Sequence, residues 1–139
     1  MPAVAQMSPH PLSLDAHIAA VASPTHGAVA TFVGLVRDHD PSVQGEVTHL
    51  EYSAHPQAQD TLERLAAEVE AEHGVALAVS HRVGLLAVGE PAIVAVAASA
   101  HRAQALAACR DVVERVKAEL PVWKREILAD GSHTWVGIA

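Results

Sequence analysis

From Gly27 onward the chain divides into short blocks whose apolar positions recur every second residue or every third to fourth. Gly27–Arg37 (GAVATFVGLVR) is apolar and β-branched, a strand signal. Val47–Tyr52 alternates, with Val47, His49 and Glu51 on one face and Thr48, Leu50 and Tyr52 on the other, as a half-buried strand does. In His55–His73, Leu62, Leu65, Ala66 and Val69 fall at helical spacing, the acidic residues lie outside, and Gly74 stands where a C-cap belongs. Val75–Val83 is another strand pattern, and Gly84 and Gly89-Glu90-Pro91 set turns around Leu85–Val88. Ala92–Ala100 is apolar on both faces, which predicts a central strand. Over Arg102–Leu120, Leu106, Cys109, Val113, Val116 and Leu120 step by three and four along one helix face, until Pro121 stops the helix. Trp123–Leu128 and His133–Ile138 predict a closing hairpin across Asp130-Gly131.

The N-terminal part is less patterned. Residues 1–12 hold three prolines and no period, and are expected to be a loose lead-in to a single domain over 13–139. Ser13 is placed to cap a short helix over Leu14–Val21, with Asp15 in its first turn. Asp38–Gly45 reads as a polar loop. The succession β, β, α, β, β, α, β, β predicts an α+β fold: a mixed, mostly antiparallel sheet packed by two long helices, with a small β subregion.

Composition narrows the function. Half of the 139 residues are hydrophobic and 18% are charged, enough apolar surface for a core, while aromatics at 3% predict one packed from small residues. A net charge of −7 excludes a general binder of nucleic acid or anionic membrane. The single cysteine, Cys109, forbids an internal disulfide and suits a reducing compartment. The first basic residue is Arg37, so the N-terminus has no positive signal-peptide region, and Pro91–Ala100 is far short of the roughly 18–20 residues that span a bilayer. A cytoplasmic location is therefore expected. Ten histidines are scattered without an HxH or HxxxH pair, so no metal site is expected, and no phosphate loop or GxSxG elbow occurs.

Charge is distributed unevenly. Between Arg82 and Arg125 seven basic residues face four acidic ones, a local net of +3. This predicts either a specific anion site or ordinary helix-surface pairing, with Asp111–Arg115 and Arg115–Glu119 at i,i+4 spacing. The chain has only two lysines, Lys117 and Lys124. Lys117 lies about 40° round the helix from apolar Val113, at the edge of the buried stripe. There it either packs its stem and keeps its head in water, or is a partly desolvated amine able to act as nucleophile or base. Pro121 returns the chain so that Lys124 and Glu126 share one strand face and Arg125 takes the other, and the two lysines can converge. His101-Arg102 opens the long helix, where free backbone N–H groups favour a phosphate or carboxylate, and Arg37 ends an apolar strand beside the polar loop. Cys109 is expected to face the core as an inert thiol.

With these residues in view, the sequence resembles the large, catalytic subunits of molybdopterin synthase. The resemblance rests on GAVATFVGLVRD, THLEY, HRVGLLAVGE, SAHRAQAL and VKAELPVWKRE, with Trp135 downstream, and spans residues 27–136. It departs at Ser53-Ala54-His55-Pro56 and at Asp38-His39-Asp40. It implies an α/β hammerhead fold, a homodimer, and a ubiquitin-like sulfur-carrier small subunit at each end, making a heterotetramer. The carrier's C-terminal Gly-Gly thiocarboxylate would give sulfur to cyclic pyranopterin monophosphate to form the dithiolene of molybdopterin, with no resident cofactor. By motif, Lys117 and Lys124 are implied as catalytic. Leu35, Val36, Arg37, His101, Arg102, Arg125 and Glu126 are implied as substrate-binding, with His101-Arg102 reaching in from the neighbouring protomer. Two other readings of the lysines stand beside this one: a stand-alone Schiff-base enzyme, and a non-catalytic module that captures a ubiquitin-like tail.

Overall fold

The computed structural model describes residues 2–41 and 43–136. It contains β1 (Val4–Ser8), α1 (Leu14–Val21), β2 (Ala28–Leu35), β3 (Val47–Ala54), α2 (Ala58–His73), β4 (Ala76–Arg82), β5 (Gly84–Ala87), β6 (Pro91–Ser99), α3 (Arg102–Glu119), β7 (Val122–Leu128) and β8 (His133–Val136). The α+β expectation holds, but the strands form two four-stranded sheets instead of one sheet with a minor appendage. The first runs β1-β4-β6-β2 and the second β5-β3-β7-β8. Among the described residues only the β1–β4 pair is parallel.

The lead-in is not loose. Val4–Ser8 pairs residue by residue with Ala78–Arg82, and Gln59 of α2 clamps it, accepting from the Met7 N–H and donating to the Ala5 carbonyl. Five residues with three apolar anchors, Ala5 and Met7 on one cluster and Val4 on another, are too short to show a period, which is why the strand escaped the pattern. The α1 cap forms as expected, Ser13 Oγ accepting from the Ala16 N–H. Inside that helix the His17 Nδ1 donates to the Ser13 carbonyl and Nε2 meets Ser80 Oγ at 2.7 Å, tying α1 to β4. The expected closing hairpin forms as β7–β8 through Val136, and the rest of the predicted strand, 137–138, lies outside the described residues.

β4 and β6 are buried on both faces, as a central position requires. One face carries α2 and α3, with Leu62, Leu65 and Val69 of α2 and Val112 and Val116 of α3 packed on Leu77, Val79, Ala95 and Ala97. The other carries α1 over Ala78, Val94, Val96 and Ala98. The alanines let the helices approach the sheet closely, which answers the scarcity of aromatics. Gly74 closes α2 in the left-handed region at φ 66°, its N–H bonding the Glu70 carbonyl.

Two periodic patterns are displaced. The buried face of α3 is Ala105, Ala108, Cys109, Val112, Val113 and Val116, and Leu106 is 61% exposed. Small alanines at 105 and 108 carry the contact that the larger Leu106 was expected to make. In β3 a register shift between Val47 and His49 puts Val47 and Leu50 on the same buried side, although strict alternation separates them. Both join Val36, Leu86 and Ala92 in a third apolar cluster. Cys109 is buried, with Sγ 3.8 Å from the Ala95 carbonyl, and burial raises its pKa.

Leu62 is fully buried in the main core. Truncation in Leu62→Ala is expected to cost about 2–5 kcal/mol, read as a lower denaturant midpoint at unchanged slope.

Candidate active site

The cavity follows from how α3 ends. Leu120 and Val122 flank Pro121 and are both buried in the main core, so the helix stops and β7 starts within one tight turn. That turn sets Lys117, on the last turn of α3, and Lys124, on β7, around one cavity of about 380 Å³. Leu35 and Arg37 reach it from the end of β2, Asp40 from the loop beyond, and Tyr52 and His81 from β3 and β4. Phe32, Leu50 and Ile93 supply apolar wall. A volume of this size, apolar with a few convergent polar groups, is what small-ligand sites have.

Lys124 is held between two carboxylates, with Nζ 3.2 Å from Asp40 and 3.6 Å from Glu126. Glu126 is fully buried, and among the described residues neither of its oxygens has a partner in hydrogen-bonding geometry. Burial is the main cause that raises its pKa, the Asp40 carboxyl adds to it, and Lys124 opposes both. Tyr52 also has a raised pKa, through burial and then the Glu126 charge. Lys117 is exposed on the single chain, so it is not the desolvated amine that the stripe allowed.

The expected site residues therefore divide. Leu35, Arg37, Lys117, Lys124 and Glu126 line the cavity. Val36 does not; it is buried in the third apolar cluster and holds the end of β2 in place. Arg125 points to the opposite face of β7, pairing with Glu51 at 2.7 Å beneath Trp135 at 5.6 Å. His101 and Arg102 are exposed at the far end of α3, about 22 Å along the axis from Lys117, and do not line this cavity. The +3 stretch is likewise not one surface. Arg115 pairs with Asp111, Glu68 and Glu72, and Arg82 is buried on β4. Sequence reasoning missed Tyr52, His81 and Asp40 as cavity residues. For Tyr52 the strand alternation was the available signal, whereas β4 is buried on both faces and offers none for His81.

A carboxyl whose folded pKa is raised favours folding while it is protonated. That contribution is complete below the ordinary value of 4.5 and is lost as pH rises through the folded value. Glu126→Gln cannot ionise, so it is expected to raise the denaturation midpoint at pH 7 and to raise it less at pH 4. Equal shifts at both pH values would contradict a buried, charge-strained carboxyl.

Comparison with known proteins gives one answer. Residues 7–119 match the family model described as MoaE protein. Molybdopterin synthase catalytic subunit 1 of Mycobacterium tuberculosis is 40% identical over 134 residues, covering 95% of this chain and 89% of the relative. The molybdopterin synthase catalytic subunit of Bacillus subtilis is 38% identical over 130 residues, covering 91% and 80%. The crystal structure of molybdopterin synthase from Staphylococcus aureus superposes with a TM-score of 0.86 at 28% identity, covering 99% of this chain and 98% of that one. With its motifs, fold and cavity all in agreement, the chain belongs to the MoaE family of molybdopterin synthase catalytic subunits.

Proposed function

We propose that the cavity is where sulfur passes from the C-terminal thiocarboxylate of a ubiquitin-like carrier to cyclic pyranopterin monophosphate, building the dithiolene of molybdopterin. The observation that carries this reading is that the chain's only two lysines, separated by a helix end and a proline, line one cavity with Arg37. Both reactants are anionic, one through its phosphate and the other through its thiocarboxylate. In an acidic protein a few cations around an apolar cavity provide a local attraction that the rest of the surface lacks. Lys117, free of ion pairs among the described residues, is the catalytic lysine that meets the reacting sulfur and acyl carbon. Lys124 is fixed by Asp40 and Glu126, which orients its ammonium towards substrate. Leu35 and Arg37 hold the substrate from the β2 end, and Arg125, through Glu51, keeps β7 against β3.

A second copy of the chain would complete the site. β2 is an edge strand with Val29 and Phe32 exposed, and exposed Leu106 of α3 accompanies them. Apolar side chains grouped in this way mark an association surface. Ala28 lies opposite Ser99 and Leu35 opposite Pro91, so one end of β2 adjoins His101-Arg102 and the other adjoins the cavity. A two-fold axis near the middle of β2 brings the His101-Arg102 end of one protomer to the Arg37 end of its partner. With one carrier bound at each cavity the assembly is a heterotetramer. A cytoplasmic location accords with this reading and with a chain in which no described helix is long and apolar enough to cross a membrane.

Mixing the protein with thiocarboxylated carrier and cyclic pyranopterin monophosphate is expected to yield molybdopterin, read as its fluorescent oxidised derivative. Lys117→Ala should abolish turnover and leave carrier binding intact. Carrier binding with an unaltered pterin from the wild-type protein would favour a capture module instead. Complementation tests the shared site. Lys117→Ala and the double variant His101→Ala/Arg102→Ala are each expected to be inactive, and co-refolding them should recover about a quarter of the sites. No recovery would confine the site to one protomer.

A further inference from the structure

His81 has no role in the reading above, and it differs from every other group in the cavity. It sits near the end of β4, 7% exposed, and lines the cavity wall. Its Nδ1 is 2.7 Å from the Arg82 carbonyl oxygen. A carbonyl only accepts, so the proton resides on Nδ1 and the lone pair on Nε2. Nε2 has no hydrogen-bond partner among the described residues, nor is it one of the fully buried unpartnered atoms, so it opens onto the cavity. Tyr52 fixes the ring in an edge-to-face contact, centroids 5.0 Å apart at 86°. Burial is the main effect on its pKa and lowers it; the Arg82 bond works against burial and the Lys117 charge works with it.

Resting on the sulfur-transfer reading, the atom balance of the reaction requires a water, and a proton acceptor beside the acyl carbon would activate it. The carrier arrives as a thiocarboxylate and departs as a carboxylate, so its acyl carbon exchanges sulfur for oxygen. Once the sulfur has bonded to the pterin, the two molecules are joined by an acyl–sulfur bond that water must cleave. We propose that His81 is the general base that activates this water. A water proton passes to Nε2 and the water oxygen bonds to the acyl carbon. The carbon–sulfur bond then breaks, its electron pair stays on the pterin sulfur, and the imidazolium returns its proton to that thiolate.

The other groups around the cavity are poorly suited. Arg37 from the end of β2, Lys117 from α3 and Lys124 from β7 are cations. The Tyr52 phenol on β3 has its pKa raised and keeps its proton. Glu126 on β7 has no exposed surface, and Asp40 in the loop after β2 is paired with Lys124. His39, also in the loop after β2, lines the cavity too, but it is exposed and its Nδ1 meets the Asp38 carboxylate at 3.3 Å. His81 is the buried imidazole with a free ring nitrogen on the cavity wall, and general bases of this kind contribute roughly 10²–10⁴-fold.

Nitrogen-15 NMR of the wild-type chain should show the Nδ1–H tautomer of His81, neutral down to pH values below the ordinary 6.5. Protonation above 6.5, or the opposite tautomer, would overturn the assignment. In the chain–carrier complex, kcat should fall as pH drops through that lowered value, and released carrier should carry solvent oxygen-18 in its carboxylate. Carrier released without any solvent label overturns the water step. His81→Asn keeps an N–H donor for the Arg82 carbonyl and removes the basic Nε2, since an amide does not take up the proton. It should lower kcat by roughly 10²–10⁴-fold, abolish the acid limb, leave carrier affinity unchanged and accumulate the carrier–pterin adduct, visible by intact mass. Wild-type turnover in that variant, or an acid limb that persists, overturns the proposal. The wild-type reaction is read first, so a wild type that forms no product identifies failure of the sulfur-transfer reading itself.

Discussion

The turn at Pro121 is the constraint on which the site depends. Leu120 and Val122 are both anchored in the core, and the proline between them lets neither the helix nor the strand extend. The two lysines are consequently positioned by the same packing that stabilises the α3 face of the first sheet. They come from different sheet systems, Lys117 from the helix layer over β1-β4-β6-β2 and Lys124 from β5-β3-β7-β8. The cavity is the seam between the two systems. Its rigidity comes from the third apolar cluster, where Val36, Val47, Leu50, Leu86 and Ala92 draw the ends of β2 and β6 against β3 and β5.

Within that seam the electrostatics are asymmetric. Lys124 has two carboxylates close by, one of them without any contact with solvent, while Lys117 has none in ion-pairing distance among the described residues. A lysine held by carboxylates has its orientation fixed, and an unpaired one on a helix end keeps its rotamer freedom until an anion arrives. On the proposed reading the held lysine positions substrate and the unheld one reacts. The overall negative charge does not conflict with this, because the field inside a cavity is set by the nearest few charges.

Much of this was legible in the sequence, and the failures have identifiable causes. The long helices, the central strand β6 and the return through Pro121 follow from apolar period and from one proline, both local properties. Lys117 and Lys124 were legible because lysine is so scarce here. The second sheet was underestimated because strand pairing is a long-range matter; the β7–β8 hairpin was legible, but β5 has four residues and no local period reveals that it and β7 both pair with β3. Leu106 was misplaced because spacing alone cannot show that alanines at 105 and 108 make the closer contact. Val47 and Leu50 were separated because a register shift is invisible to strict alternation. His101 and Arg102 were grouped with the lysines by charge, and only the length of α3 shows that one chain cannot unite them.

Cys109 has a consequence for chemistry that never touches it. A protein that handles acyl–sulfur bonds is at risk from its own thiols, since a thiolate exchanges readily with a thioester and would leave the carrier tethered to the wrong atom. Here the chain's single thiol is pinned between α3 and β6, kept protonated by burial and absent from the cavity wall. The small-residue core thus does more than bring helices close to a sheet. On the proposed reading it removes a competing nucleophile, leaving the pterin as the destination of sulfur that enters the cavity.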